Sequence, residues 1–206
     1  MAALDAGRVR ENAARIREAL APGCELLAAV KYVALEDLGV LAEAGVTLVG
    51  ENRAQELVAK AAAHPGAFRW HFIGQLQSRK VKEVLPHVEL IHSVASDSAL
   101  RQLGRHGTPD TEVLVEVNVA GEEGKAGVAP ADLGAFIARC PVRVGGLMTM
   151  PPFTEDPEAS RPCFRALRGL AWEHGLTRLS MGTSQDWPVA AEEGATIVRI
   201  GTSLYA

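Results

Sequence analysis

Lys31 is the side chain in this sequence best placed for covalent chemistry. It ends the apolar run Glu25-Leu26-Leu27-Ala28-Ala29-Val30, which has the length and composition of a strand. A lysine is costly to bury unless it is paired or reactive. At the C-terminal edge of a barrel strand its amine can reach into a site and form a Schiff base. Many strand-end lysines merely snorkel to solvent, so the surrounding pattern has to decide. Two stretches supply it: Ser180-Met181-Gly182-Thr183-Ser184 and Arg199-Ile200-Gly201-Thr202-Ser203. Each joins glycine to hydroxyl residues. Glycine lets a backbone approach a ligand closely, and successive N–H groups and hydroxyls then make an anion cradle. Ordinary turn chemistry, with a helix cap at Ser184, is the competing account.

A lysine amine combined with a phosphate cradle points to pyridoxal 5′-phosphate, with its aldehyde at Lys31 and its phosphate in the cradle. Arg199 lies two residues before Gly201 and, by strand alternation, on the same side. There it could hydrogen-bond the pyridine nitrogen. A guanidinium does not give up its proton, so that nitrogen would stay unprotonated and the ring would be a poor electron sink. The rival role for Arg199 is a salt bridge to a strand-end carboxylate.

These residues can meet only if the chain brings strand ends together, and its periodicity does so. Eight strand-like runs occur at 26–32, 47–52, 69–74, 89–94, 112–119, 142–150, 178–182 and 196–201. Helical stretches lie at 4–20, 35–44, 53–63, 77–85, 96–105, 130–139, 157–174 and 186–193. Apolar strands alternating with helices predict a parallel sheet covered on both faces. A single α/β domain over 1–206 is expected, a closed (β/α)8 TIM-type barrel with an extra N-terminal helix. A doubly wound open sheet is the second choice. The last strand runs almost straight into the C-terminus, leaving no room for a following helix, so the N-terminal helix is expected to cover that gap. Active sites of such barrels lie at the C-terminal strand ends, commonly with a phosphate site after strands seven and eight.

Composition narrows the function further. Charged residues make up 22% of the chain and the net charge is −4, which argues against a broad nucleic-acid surface. Aromatics are only 5%, too few for base-stacking platforms. Cys24, Cys140 and Cys163 form no CxxC pair and fit reduced thiols. No run approaches the ~18 apolar residues of a membrane span. A cytoplasmic protein with no membrane or nucleic-acid partner is expected, and a monomer, since no long apolar surface stands out. Asn52 is the expected pocket residue of its strand, while Glu51 alternates away and should pair with a helix. His71 reads as a satisfied interior histidine, Met148 and Met150 as packing, and Lys80 and Lys125 as rim charges. The histidines show no metal-ligand spacing.

The motifs also resemble a known family. Ala29-Val30-Lys31, the run from Gly50 to Glu56 (GENRAQE), the run from Trp70 to Ser78 (WHFIGQLQS), Val117-Asn118 with Glu122, Lys125 and Gly127, Gly146-Leu147-Met148, Leu179-Ser180-Met181-Gly182 and Val198-Arg199-Ile200-Gly201-Thr202 span nearly the whole chain. Together they resemble the YggS/PROSC family of pyridoxal phosphate homeostasis proteins, whose barrel is similar to the N-terminal domain of alanine racemase. The resemblance implies a fold-type III barrel in which Lys31 forms the internal aldimine and Asn52 lines the pocket. Ser180, Gly182, Thr183, Gly201 and Thr202 would hold the phosphate, and Arg199 would face the ring nitrogen. It implies a cofactor carrier serving pyridoxal-phosphate-dependent apo-enzymes, without established catalysis. This chain departs from the common family pattern on both sides of Lys31, where it reads Val30 and Tyr32-Val33-Ala34, and at Thr183, where many members have methionine.

Two enzymatic alternatives remain. A racemase on the same cofactor needs a base on each face of the α-carbon. Lys31 could serve one face, but the tyrosine of an extra domain that serves the other in racemases is not expected here. Tyr32 should point to the opposite side of its strand, and Tyr205 stands at the terminus. A cofactor-free Schiff-base aldolase would need a relay carboxylate at a strand end, and none is convincing.

Overall fold

A computed structural model describes residues 4–206, so the first three residues of the expected domain lie outside the described residues. Eight short parallel strands form the centre: β1 (Glu25–Ala29), β2 (Leu48–Glu51), β3 (Arg69–Phe72), β4 (Leu90–Val94), β5 (Glu112–Glu116), β6 (Arg143–Met148), β7 (Arg178–Thr183) and β8 (Ile197–Ile200). They pair in sequence order and close into a barrel, β1 lying beside β8 with Leu26 opposite Val198. The closed barrel is thus the architecture, and the open sheet is not.

Closure follows from the composition of the strands. Their apolar residues are buried on both faces, as parallel strands covered by helices require. Inside the barrel, Leu27, Leu48, Leu90, Leu114, Met148 and Ile197 form one packed layer. Outside it, a larger core fills the space between sheet and helices, with Phe164, Leu41, Leu57, Leu103 and Leu133 fully buried.

The helices are α1 (Ala6–Ala19), α2 (Leu38–Glu43), α3 (Ala54–Ala63), α4 (Val81–Val84), α5 (Asp97–His106), α6 (Leu133–Ala138), α7 (Arg161–Glu173), α8 (Trp187–Glu192) and α9 (Thr202–Tyr205). Where the sequence supplies a good N-cap, the helix start is sharp. Asp5 Oδ1 accepts from Arg8 N at 2.7 Å at the start of α1, and Ser96 Oγ accepts from Ala99 N at 3.2 Å at the start of α5.

Four details differ from the sequence expectation. β1 stops at Ala29, so Lys31 and Tyr32 lie in a turn beyond the strand. β5 stops at Glu116; Val117 forms an isolated bridge to Val128 and still donates to the Met148 carbonyl at 2.8 Å. The helix expected at 77–85 is split into 3-10 turns on either side of α4; the second contains Pro86, which has no N–H to continue a helix. One turn of helix, α9, does follow β8. The N-terminal helix covers this end as expected: α1 packs on β1, α2 and α9, and Asn12 Nδ2 donates to the carbonyls of Leu204 (3.2 Å) and Ala206 (3.0 Å).

Candidate functional site

Lys31 sits at the C-terminal rim, directly after β1, and is exposed. Its ammonium lies 4.9 Å from the centroid of the Tyr32 ring, which is itself 67% exposed. The expected opposition of Lys31 and Tyr32 fails because alternation requires a strand, and the strand has already ended. The backbone leading to Lys31 is nevertheless held tightly. Tyr205 Oη donates to the Ala29 carbonyl at 3.2 Å. Lys60, on α3, donates to the Val30 carbonyl at 2.8 Å and to Glu51 Oε2 at 2.6 Å. Glu51 Oε1 accepts from the N–H groups of Asn52 (2.6 Å) and Arg53 (3.2 Å) at the start of α3. The Glu51–Lys60 pair is almost completely buried. Such a pair is tolerable only with further hydrogen bonds, which the Val30 carbonyl gives Lys60 and two backbone N–H groups give Glu51. Glu51 therefore does pair with a helix, and in doing so fixes the turns that present Lys31 and Asn52.

Asn52 Oδ1 is buried and has no hydrogen-bond partner, a costly state for a carbonyl oxygen. Gly74 lies against the Asn52 backbone so closely that a Cβ would come within 2.0 Å of its carbonyl oxygen.

The loops after β7 and β8 meet as expected, but through different residues. Gly182 has φ 90°, and a Cβ there would stand 2.6 Å from Ala190 Cβ on α8, so its first requirement is packing. Thr183 is committed to Asp186: its N–H and hydroxyl both donate to Asp186 Oδ1, at 2.7 and 3.1 Å. The centre of the contact is Ser184. Its Oγ accepts from Gly201 N at 3.0 Å and Ser203 N at 3.3 Å, and Ser203 Oγ donates back to the Ser184 carbonyl at 3.1 Å. Ser184 and Ser203 were legible in the two glycine–hydroxyl stretches, yet neither stood out as a binding residue. Ser184 does not cap α8; its hydroxyl serves the turn that opens α9, whose first residue is Thr202.

Beneath this rim runs a buried polar chain. Ser180 is fully buried, and its hydroxyl is engaged by His92 Nδ1 at 2.8 Å and by Arg199 Nη1. Arg199 Nη2 donates to the Thr149 carbonyl at 3.0 Å, and His71 Nδ1 lies 2.9 Å from His92 Nε2. The partners of Ser180 are thus Arg199 and His92, not the backbone of the Gly201 turn. Burial lowers the Arg199 pKa to about 10, with the charges of Asp186 and Glu116 opposing the fall. Burial, then the charges of Arg69 and Arg178, lowers His71 to about 3. His92 falls well below the ordinary value for the same first reason, followed by the charges of His71, Arg199 and Arg178. Both rings are neutral. Burial raises the Glu116 carboxyl, against the pull of Arg199. Among the described residues, no carboxylate makes a direct ion pair with Arg199.

Met148 packs inside the barrel, whereas Met150 is exposed on the loop beyond β6. Lys80 and Lys125 form local ion pairs with Glu83 and Glu122. Among the described residues there is no cluster of ligands for a metal ion, and no helix is long and apolar enough to cross a membrane.

The fold and this rim define an alanine-racemase-like barrel, and the family model described as alanine racemase, N-terminal domain, matches residues 4–206. Relatives of closer kinship narrow the class. The chain is 41% identical to the pyridoxal phosphate homeostasis protein of Aquifex aeolicus, across 95% of this chain and 96% of that one. It is 38% identical to the protein of the same name in Pseudomonas aeruginosa, across 97% and 94%. This chain belongs to the pyridoxal phosphate homeostasis protein family. Among solved structures, PipY of Synechococcus elongatus is 33% identical and superposes with a TM-score of 0.86 over 96% of this chain and 100% of its own. The same protein with PLP bound gives 0.85 at 32% identity. Alanine racemase from Corynebacterium glutamicum shares the fold at a TM-score of 0.75 and 16% identity, with 98% of this chain covering 61% of that one.

Proposed function

We propose that this protein binds pyridoxal 5′-phosphate at the C-terminal rim of the barrel and acts as a cofactor carrier in pyridoxal phosphate homeostasis. Its relatives of the same family carry that name, and PipY has been solved with the cofactor. The residues present fit the group. Asn52 Oδ1 is buried without a partner. The N–H groups of Gly201 and Ser203 converge on one hydroxyl oxygen, Ser184 Oγ, as they would on an oxygen of a phosphate. A Cβ at Gly201 would meet nothing closer than 3.8 Å, so that backbone is open to approach. The single observation that carries the reading is this convergence, on one rim, of an exposed lysine amine, an unsatisfied amide oxygen and an anion cradle.

When bound, the cofactor supplies an aldehyde that a lysine amine can hold as an imine. Lys31 would hold it, Asn52 would line the pocket, and Gly201, Thr202, Ser203 and Ser184 would take the phosphate, with Gly182 and Thr183 shaping the loop. Arg199 would meet the ring nitrogen. Ser180 supports Arg199 in this reading and is not a phosphate ligand.

The protein works without catalysis, as one domain over 1–206, as a monomer, in the cytoplasm, passing its cofactor to pyridoxal-phosphate-dependent apo-enzymes. The exposure of Lys31 favours exchange with a partner. Tyr205 argues against a racemase, while Tyr32 shares the turn of Lys31 and so stands beside the same amine. The Tyr205 hydroxyl is spent on the Ala29 carbonyl, and burial raises its pKa well above the ordinary value. The three cysteines are free, and burial lifts the Cys24 thiol to about 11, which keeps it unreactive.

The test is transfer. Protein loaded with pyridoxal phosphate is mixed with a dependent apo-enzyme in the presence of an aldehyde scavenger, and recovered activity is compared with that from free cofactor. A parallel assay follows loss of optical activity in L-alanine. Recovery that outlasts the scavenger, without racemisation, is expected. Racemisation at the rate of a dedicated enzyme would overturn the carrier reading.

A further inference from the structure

The mouth of the barrel accounts for Lys31, Asn52 and the cradle, but not for two histidines sealed inside it. His71 and His92 are 1% and 0% exposed. Their hydrogen bonds run in one line, from His71 through His92 and Ser180 to Arg199. We infer that His71, His92 and Ser180 form a neutral proton-ordered relay that orients the Arg199 guanidinium toward the ring of bound pyridoxal phosphate. This inference rests on the function proposed above and names the positioning residues of that same site.

The proton count leaves few arrangements. A guanidinium only donates, so Ser180 Oγ must accept from Arg199 Nη1. The hydroxyl proton of Ser180 is then free for His92 Nδ1. A neutral His92 that accepts at Nδ1 carries its own proton on Nε2 and donates it to His71 Nδ1. His71 in turn carries its proton on Nε2. Every facing pair then has one proton and one lone pair. The reverse polarity, with His71 Nδ1–H donating to His92 Nε2 and His92 Nδ1–H donating to Ser180, leaves the serine proton without a partner in the chain. The first order is therefore favoured. The other end of the guanidinium is fixed independently, because Arg199 Nη2 donates to the Thr149 carbonyl and Thr149 Oγ1 donates onward to the Val117 carbonyl at 2.9 Å. With both Nη atoms engaged, rotation of the guanidinium is arrested. Its remaining N–H groups are left to face a ligand in one orientation, which costs no ordering when that ligand binds.

A chain of this kind is also a buried liability. Removing one member leaves its neighbours unsatisfied in a low-dielectric interior.

The experiment compares His92→Asn, His92→Phe and Ser180→Ala. Asparagine places an acceptor oxygen where His92 Nδ1 stands; phenylalanine fills the volume but cannot accept. Each protein is titrated with pyridoxal phosphate, and affinity and the visible absorption band are recorded with the melting temperature. In the cofactor-free proteins, imidazole 15N shifts report which ring nitrogens carry protons. The relay predicts that Ser180→Ala and His92→Phe weaken binding by about tenfold and alter the band, that His92→Asn retains both properties, and that Ser180→Ala changes the His92 15N shifts in the absence of cofactor. Borohydride should still fix the cofactor to Lys31 in every variant. Folded Ser180→Ala protein with wild-type affinity and band would overturn the inference, as would His92→Asn behaving like His92→Phe. If His92→Phe does not fold, Ser180→Ala decides alone. Wild-type protein that takes up no cofactor would sink the proposed function and the inference together, whereas a failure confined to the variants would sink only the relay.

Discussion

The two mouths of this barrel are built from similar polar residues and use them in opposite ways. At the N-terminal mouth the strands begin with charge: Glu25 on β1, Arg69 on β3, Glu112 on β5, Arg143 on β6 and Arg178 on β7. Arg69 bridges Glu25 at 2.8 Å and Glu89 at 2.9 Å. Glu112 pairs with Arg143 and lies 3.0 Å from Arg178. Charges there pair with one another, although Glu112 Oε1 is buried beside Arg178 without a hydrogen bond. At the C-terminal mouth, among the described residues, no carboxylate pairs with Lys31, Asn52 Oδ1 has no partner, and two backbone N–H groups share one hydroxyl. Where charges pair with opposite charges, the end of the barrel serves stability. Where an amine and an amide oxygen are left without partners beside N–H groups that converge on one hydroxyl, it serves a ligand.

Breaking this comparison at its most sensitive point means Lys31→Ala. The side chain is exposed, so folding should be unchanged, while borohydride-fixed cofactor should fall to none by mass spectrometry. Beneath that residue, Lys60→Met should destabilise the protein by ~3–5 kcal/mol in urea denaturation, because Glu51 would be left as an unpaired buried charge. Replacing both partners by apolar residues should recover much of the loss.

Acid offers a different break. His71 binds its proton only near pH 3 when folded but near 6.5 when unfolded. The unfolded state therefore holds more protons between those values, and stability falls as pH falls through 6.5. Each buried ring should contribute a slope of up to about 1.4 kcal/mol per pH unit. Denaturation midpoints at pH 7.5, 6 and 5 check this, and a flat profile would mean that the rings are not buried as described.

The smaller effects sharpen the contrast. Ser184→Ala should weaken cofactor binding by about tenfold, measured by titration. At the opposite mouth, Glu112→Gln should lower stability by about 1 kcal/mol, since both arginines it pairs with keep access to water, and cofactor affinity should not move.

Much of this was legible in the sequence because it rests on periodicity and strand ends. The order of strands, the closing role of α1 and the meeting of the Gly182 and Gly201 loops follow from apolar runs separated by helical stretches. The pairing of Glu51 with a helix follows from alternation, and Lys60 supplies the partner. What was hidden depends on where a strand stops. The end of β1 three residues earlier than expected, at Ala29, moved Lys31 and Tyr32 from opposite faces of a strand into one turn. The role of Ser184, rather than Thr183, at the Gly201 turn depends on Asp186 capturing Thr183, which no spacing rule reveals. The buried His71–His92 contact joins residues 21 positions apart on neighbouring strands. His71 alone reads as an ordinary interior histidine, and only the register of β3 against β4 sets it beside His92.

The most direct measurement is to add pyridoxal phosphate to the purified protein, reduce with borohydride, digest, and map the modified peptide. The account predicts one dominant adduct, on Lys31, accompanied by the visible absorption of an imine before reduction. An adduct on Lys60 or Lys125 in place of Lys31, or none at all, would contradict it.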